Sequence, residues 1–128
     1  MNDNATKLVD ALRSGEFEQC HNYLRRAESY CCLGVASELY RREHSDTTRW
    51  SLICGTTVYN SVIDGADDEY MDELHPEIRD WLGFTHPCGR FINSEGSDDD
   101  LVRLNDVLGW TFEKIADLIE SEPYGLFV

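Results

Sequence analysis

Apolar positions fall into two periods along this chain, and the switch between them lays out its elements. Leu8, Val9, Ala11 and Leu12 form a stripe at helical spacing after Asn4, which can cap it, and Gly15 stands where a helix-ending glycine belongs. Tyr30 to Leu33 is an apolar run that suits a short buried strand. Leu33, Val35, Ala36, Leu39 and Tyr40 then return to the helical period as far as Arg42. Trp50 to Tyr59, WSLICGTTVY, is β-branched and aromatic around Gly55, which predicts a bent strand or a tight hairpin.

The second half follows the same logic. An acidic loop is expected from Asp64 to Glu73. His75 and Pro76 open a helix whose apolar side is Ile78, Trp81 and Leu82 and whose end is Gly83. Phe84 to Ser97, with Pro87, Gly89 and Gly96, reads as loop, pinned by Phe91 and Ile92. Ser97 can cap a helix with Asp98, Asp99 and Asp100 in its first turn, where the dipole favours acids. Leu101, Leu104 and Leu108 form its stripe and Gly109 closes it. Thr111 caps a last helix bearing Phe112, Ile115, Ala116 and Ile119, and the tail GLFV is free to add a core contact. The fold expected is α+β: one small domain over residues 1–128, mostly helical, with a short antiparallel sheet and a C-terminal helical hairpin.

Composition agrees with a packed domain: 128 residues, 41% hydrophobic. Charge adds a constraint. Asp and Glu number 25 against 11 Lys and Arg, a net charge of −14. Such a field opposes approach to nucleic acid or anionic lipid and favours basic partner surfaces. The acids concentrate late, at Asp64, Asp67, Asp68, Glu69, Asp72 and Glu73 and at Asp98, Asp99 and Asp100, which together make a candidate interaction face. The plain alternative is a solubility shell. No stretch reaches the ~20 apolar residues of a membrane span. The start, MNDNATKLVDALRSGE, lacks a secretory signal, and the five cysteines are an odd count, so a cytoplasmic setting with reduced thiols is expected.

The chemical motifs are sparse. Leu104, Leu108, Trp110, Ile115 and Leu118 around Gly109 fit the apolar pattern of a helix-turn-helix, but Asn105 takes a place that wants a small residue. The would-be recognition helix also shows Glu113, Asp117 and Glu120 against Lys114 alone, so direct DNA binding is not expected. Cys20, Cys31, Cys32 and Cys88 with His21 and His86 lack zinc spacing. Cys31, Cys32 and Cys54 read as small buried hydrophobes. No phosphate loop, catalytic triad or calcium loop is present, so no catalytic residue, metal or cofactor is assigned. Arg25 and Arg26, near Tyr23 and Tyr30, are the candidate ligand-binding residues, because arginine forks suit phosphate and carboxylate. Internal salt bridges are their ordinary use.

Residues 13–40, RSGEFEQCHNYLRRAESYCCLGVASELY, and 104–120, LNDVLGWTFEKIADLIE, with the WLG at 81–83, carry a resemblance. They are similar to a family of small, mostly uncharacterised proteins encoded by bacteriophages and prophages, with a CCLGV segment and a closing LND…IADLIE segment. Residues 43–73 lie outside it. The resemblance implies a host-cell setting and no mechanism. Joined to the charge, it suggests an accessory protein that binds and inhibits or modulates a basic host protein, its acidic face imitating a nucleic-acid backbone. The alternatives are a nucleotide or small-ligand binder using Arg25, Arg26 and Tyr30, and a metal- or thiol-dependent enzyme. The oligomeric state is open, a homodimer included.

Overall fold

A computed structural model describes residues 1–63 and 66–128, with no account of the side chains of 62–68. Asp64 therefore lies outside the described residues, as do the side chains of Asp67 and Asp68. In chain order the elements are α1 (Asp3–Arg13), β1 (Glu18–Gln19), β2 (Arg25–Arg26), β3 (Ser29–Tyr30), α2 (Cys32–Glu43), β4 (Thr48–Ile53), β5 (Thr56–Ile63) and β6 (Ala66–Tyr70). Then come α3 (Pro76–Leu82), β7 (Arg90–Ile92), β8 (Asp98–Asp100), α4 (Leu101–Asp106) and α5 (Phe112–Glu120). The α+β architecture expected from the sequence is the one observed.

The main sheet runs β1-β3-β2-β5-β4, with β6 on the same side of β5 as β2. It is mostly antiparallel, but β1 pairs with β3 in parallel. Its long arm is the β4–β5 hairpin, closed by Cys54 at φ 49° and Gly55 at φ 82°. Two positive φ values in a two-residue loop match the right-handed twist of the strands it joins, and they set the register Ile53↔Thr56, Leu52↔Thr57 and Trp50↔Tyr59. β7 and β8 form a separate two-stranded sheet. α1, α2, α4 and α5 bury one common core that includes Leu8, Leu12, Leu33, Val35, Leu104, Ile115 and Ile119. The tail joins it: Leu126 is fully buried and Phe127 bridges Phe84.

Several expectations are corrected. The caps shift first: Asn2 accepts from the Ala5 N–H at 2.8 Å and caps α1, while Asn4 donates to the Trp81 carbonyl at 3.0 Å. Tyr30 to Leu33 splits, with strand ending at Tyr30 and helix beginning at Cys32. The acidic run 64–73 is not all loop, since residues 66–70 pair with β5 along the backbone, which is indifferent to side-chain charge. Lastly, Asp98, Asp99 and Asp100 are strand, and Arg90 to Ile92 inside the expected loop is their partner. The Asn93 side chain accepts from Glu95 N at 3.0 Å and Ser97 N at 3.1 Å, shaping a turn that makes a hairpin where sequence suggested a helix start. Asp100 is then the cap of α4, accepting from Arg103 N at 2.7 Å. Because α4 ends at Asp106, Leu108 is 45% exposed rather than part of the buried stripe.

Candidate functional site

A cleft of about 740 Å³ opens between the β2–β3 turn and the tip of the β4–β5 hairpin. Its walls include Tyr23, Arg25, Arg26, Trp50, Leu52 and Thr57. Strand pairing explains the grouping. Arg25 is opposed to Thr57, and Thr57 to Leu52, so the three side chains form a row across β2, β5 and β4 on one face of the sheet. A cation, a hydroxyl and an apolar group thus stand side by side. Leu52 is 74% exposed and forms the apolar end of that row.

Arg25 is held in place by its neighbours. Its guanidinium lies 5.2 Å from the Tyr30 ring centre and 5.6 Å from that of Trp50. Nε donates to the Ala27 carbonyl at 2.7 Å. Nη2 stands 3.7 Å from Glu28, a carboxylate whose side chain is 90% exposed. Trp50 is fixed in turn: its indole N–H donates to Glu38 at 2.9 Å. Glu38 also accepts from Arg41 at 2.6 Å and Arg42 at 2.9 Å. Burial works to raise the Glu38 carboxyl, but these three donors overcome it and bring it down to about 2. An ionised, fully satisfied carboxylate on α2 therefore anchors the aromatic wall against which Arg25 lies.

The expected trio is only partly brought together. Arg25 and Arg26 are adjacent in a strand, so their side chains leave on opposite faces. Arg26 is exposed and makes no ion pair among the described residues, so it contributes charge at the rim. Tyr30 is 8% exposed and supports Arg25 from below instead of lining the cleft. Trp50, Leu52 and Thr57 were missed. The readable signal for them is Gly55, because a two-residue turn there fixes the register that puts them in line.

The acidic face is also reshaped. Asp99 is spent on Arg103 at 3.0 Å, its side chain 8% exposed, and Asp100 on the α4 cap. Asp98, Glu69 and Asp72 are exposed. The two acidic runs nonetheless approach each other at Cys88. Burial pushes that thiol up to about 11, and the charges of Glu73, Asp100 and Asp72 add to it. Among the described residues no group of three His, Cys, Asp or Glu is arranged to hold a metal ion. On α5, Asp117 and Glu120 are taken by Arg13 at 2.7 and 3.0 Å, and Lys114 rests over the Trp110 ring at 4.1 Å.

The CCLGV and LND stretches prove to be one structural joint. Cys31 caps α2, its sulfur accepting from Gly34 N at 3.3 Å. A Cβ on Gly34 would lie 1.7 Å from the Leu24 carbonyl oxygen, so only glycine lets the backbone just before β2 cross the helix start. Asn105, fully buried, accepts from Cys32 N at 3.3 Å and Gln19 Nε2 at 2.8 Å and donates to the Cys20 carbonyl at 2.9 Å.

Among the described residues no helix is long and apolar enough to cross a membrane. No curated protein and no solved structure matches the chain. A family model described as "Domain of unknown function (DUF8296)" matches residues 1–123, and the chain belongs to that family.

Proposed function

We propose that this protein acts by binding, and that the Arg25 cleft captures a ligand carrying an anionic group. The observation that carries the reading is the seating of Arg25 against the touching rings of Tyr30 and Trp50 in a protein of net charge −14. Cations are scarce here, and this one is immobilised by two rings and a carbonyl at the edge of a cleft of ligand size. Preorganisation of that kind lowers the ordering cost of binding. Leu52 and Tyr23 offer surface for an apolar or planar ligand body. A thermal-shift panel of nucleotides, inorganic phosphate and carboxylates tests it, since specific binding stabilises the folded chain by mass action. The reading fails if no member shifts the wild type, or if Arg25→Gln shifts equally.

A second reading keeps the acidic surface. The convergence of Asp72, Glu73 and Asp100 on Cys88 favours it, because it joins two acidic runs that are far apart in sequence. In that reading the patch docks on a basic protein surface of the host, in the setting the phage resemblance implies. Pull-down from host lysate at low and high salt tests it. A partner retained only at low salt supports it, and none at either salt ends it.

A further inference from the structure

We infer that the Arg25 cleft selects a phosphate monoester over a carboxylate, with Glu28 as the internal competitor that sets the choice. The inference rests on the proposed binding at Arg25 and adds the chemical class of the ligand. Glu28 sits on the two-residue turn directly after β2, where Ala27 adopts a left-handed φ of 53°. Its Oε1 is 3.7 Å from Arg25 Nη2, within Coulomb range but beyond hydrogen-bond length. The ligand-free arginine therefore already faces one negative charge, held loosely and free to swing into water.

An incoming carboxylate exchanges like for like. It brings one charge and two oxygens to a guanidinium that has a carboxylate beside it, and the exchange gains little. A phosphate monoester differs in both respects. Above its second pKa of about 6 it carries close to two charges and three acceptor oxygens. It can take the Nη donors of Arg25 and a hydroxyl from the same row, Thr57, or its neighbour Thr56, both of which line the cleft. The exposed Arg26 adds its field at the rim. The body of the ester then rests along the row toward Leu52, or on Tyr23 across the mouth.

Isothermal titration calorimetry at pH 8 with phenyl phosphate and with benzoate, which share a ring and differ in the anion, tests this on the full chain. The wild type is expected to bind phenyl phosphate saturably and benzoate about tenfold more weakly, a difference of about 1.4 kcal/mol. Glu28→Gln should strengthen benzoate about threefold, in the range an exposed ion pair contributes, and phenyl phosphate less, so that the gap between the two narrows. Arg25→Gln should abolish both, and Arg25→Lys, which keeps charge and stem, should weaken both while the denaturation midpoint is kept. Equal affinity for the two ligands in the wild type, or no gain or an equal gain for both in Glu28→Gln, overturns the inference and leaves the binding reading standing. No binding of either ligand to the wild type overturns the inference; a flat thermal-shift panel beside it, or phenyl phosphate binding that survives Arg25→Gln, removes the binding reading as well.

Discussion

The side-chain oxygen of Asn105 accepts the backbone N–H of Cys32 across 3.3 Å, joining two segments 73 residues apart in sequence at the buried start of α2. The same side chain holds the Gln19 amide and the Cys20 carbonyl, so one fully buried residue ties β1, α2 and α4 together. Asn105→Ala leaves several of these groups without a partner in a dry site. Each unmet buried group costs roughly 1–3 kcal/mol, so a loss of about 3 kcal/mol is expected in urea unfolding. Asn105→Asp, of the same shape but lacking the donor to Cys20, should lose a comparable amount at pH 7. A variant that unfolds with the wild type would remove Asn105 from the joint.

Gly34 meets the same joint from the other side. Its missing Cβ is what lets the Leu24 carbonyl approach, and neither backbone can retreat without breaking the Cys31 N–H bond to that carbonyl at 3.1 Å. Gly34→Ala is expected to cost more than about 3 kcal/mol or to prevent folding outright. Gly15→Ala provides the contrast. Nothing lies within 4 Å of its Cβ, and only the positive φ of 78° is strained. Its cost should stay near 1 kcal/mol. Equal effects in the two variants would mean that the close approach to Leu24 does not decide the need for glycine.

Much of this was legible in the sequence, for identifiable reasons. Helices α2, α3 and α5 were readable because their stripes are local, as are the ends of the last two: Pro76 at a first position, Gly83 at an end, Thr111 before Phe112. Gly55 marked a break that the sequence left open as a bent strand or a tight hairpin, and the structure shows the hairpin, turning at Cys54 and Gly55. β7 and β8 were not, since Asp98, Asp99 and Asp100 have poor strand propensity and gain their conformation from pairing with Arg90, Phe91 and Ile92. The cleft was half legible. Arg25 stood out by charge, but only the register shows that Thr57 and Leu52 stand in line with it, and only the fold brings Trp50 beside it while Arg26 stays at the rim.

Glu38 gives the chain a predicted acid dependence. Its folded carboxyl, at about 2, lies below the ordinary carboxylate value. A depressed carboxyl contributes stability that is present above its unfolded pKa and is lost as pH falls toward the folded one. The wild type should therefore lose up to about 3 kcal/mol through this group between pH 5 and pH 2. Glu38→Gln should be less stable at neutral pH, because Arg41, Arg42 and the Trp50 indole lose their acceptor. It should also show a flatter profile below pH 5. Urea midpoints at pH 7, 5 and 3 for both proteins decide, and parallel profiles would show that Glu38 is not the responsible group.

Trp50 offers an optical report on the cleft. Of the three tryptophans it alone lines the space beside Arg25, while Trp81 packs against Tyr40 and Trp110 under Lys114. A ligand that draws the guanidinium or displaces water from the indole should change its emission. Titration with phenyl phosphate is expected to alter the fluorescence of the wild type and leave Trp50→Phe unchanged. A signal that persists in Trp50→Phe would place the bound anion beside another tryptophan.

The cysteines separate by environment in a way that alkylation can read. Cys54 was expected in the core and is instead exposed on the hairpin turn. Its sequence context, between Ile53 and Gly55, gave hydrophobicity without direction. Cys31 and Cys32 are buried as expected, and burial pushes the Cys31 thiol up to about 12. Cys88 is half-buried and raised to about 11 by burial and then by Glu73, Asp100 and Asp72. The thiolate is the reactive form, so both access and protonation protect these sites. Native protein at pH 8 should show one fast thiol per chain toward a disulfide reagent, absent in Cys54→Ser, with Cys20, Cys31, Cys32 and Cys88 reacting only slowly until urea exposes them. A second fast thiol lost in Cys88→Ser would show that the acidic patch is open enough to admit a reagent. With an anionic reagent, adding salt should then speed Cys88 while leaving Cys54 nearly unaffected.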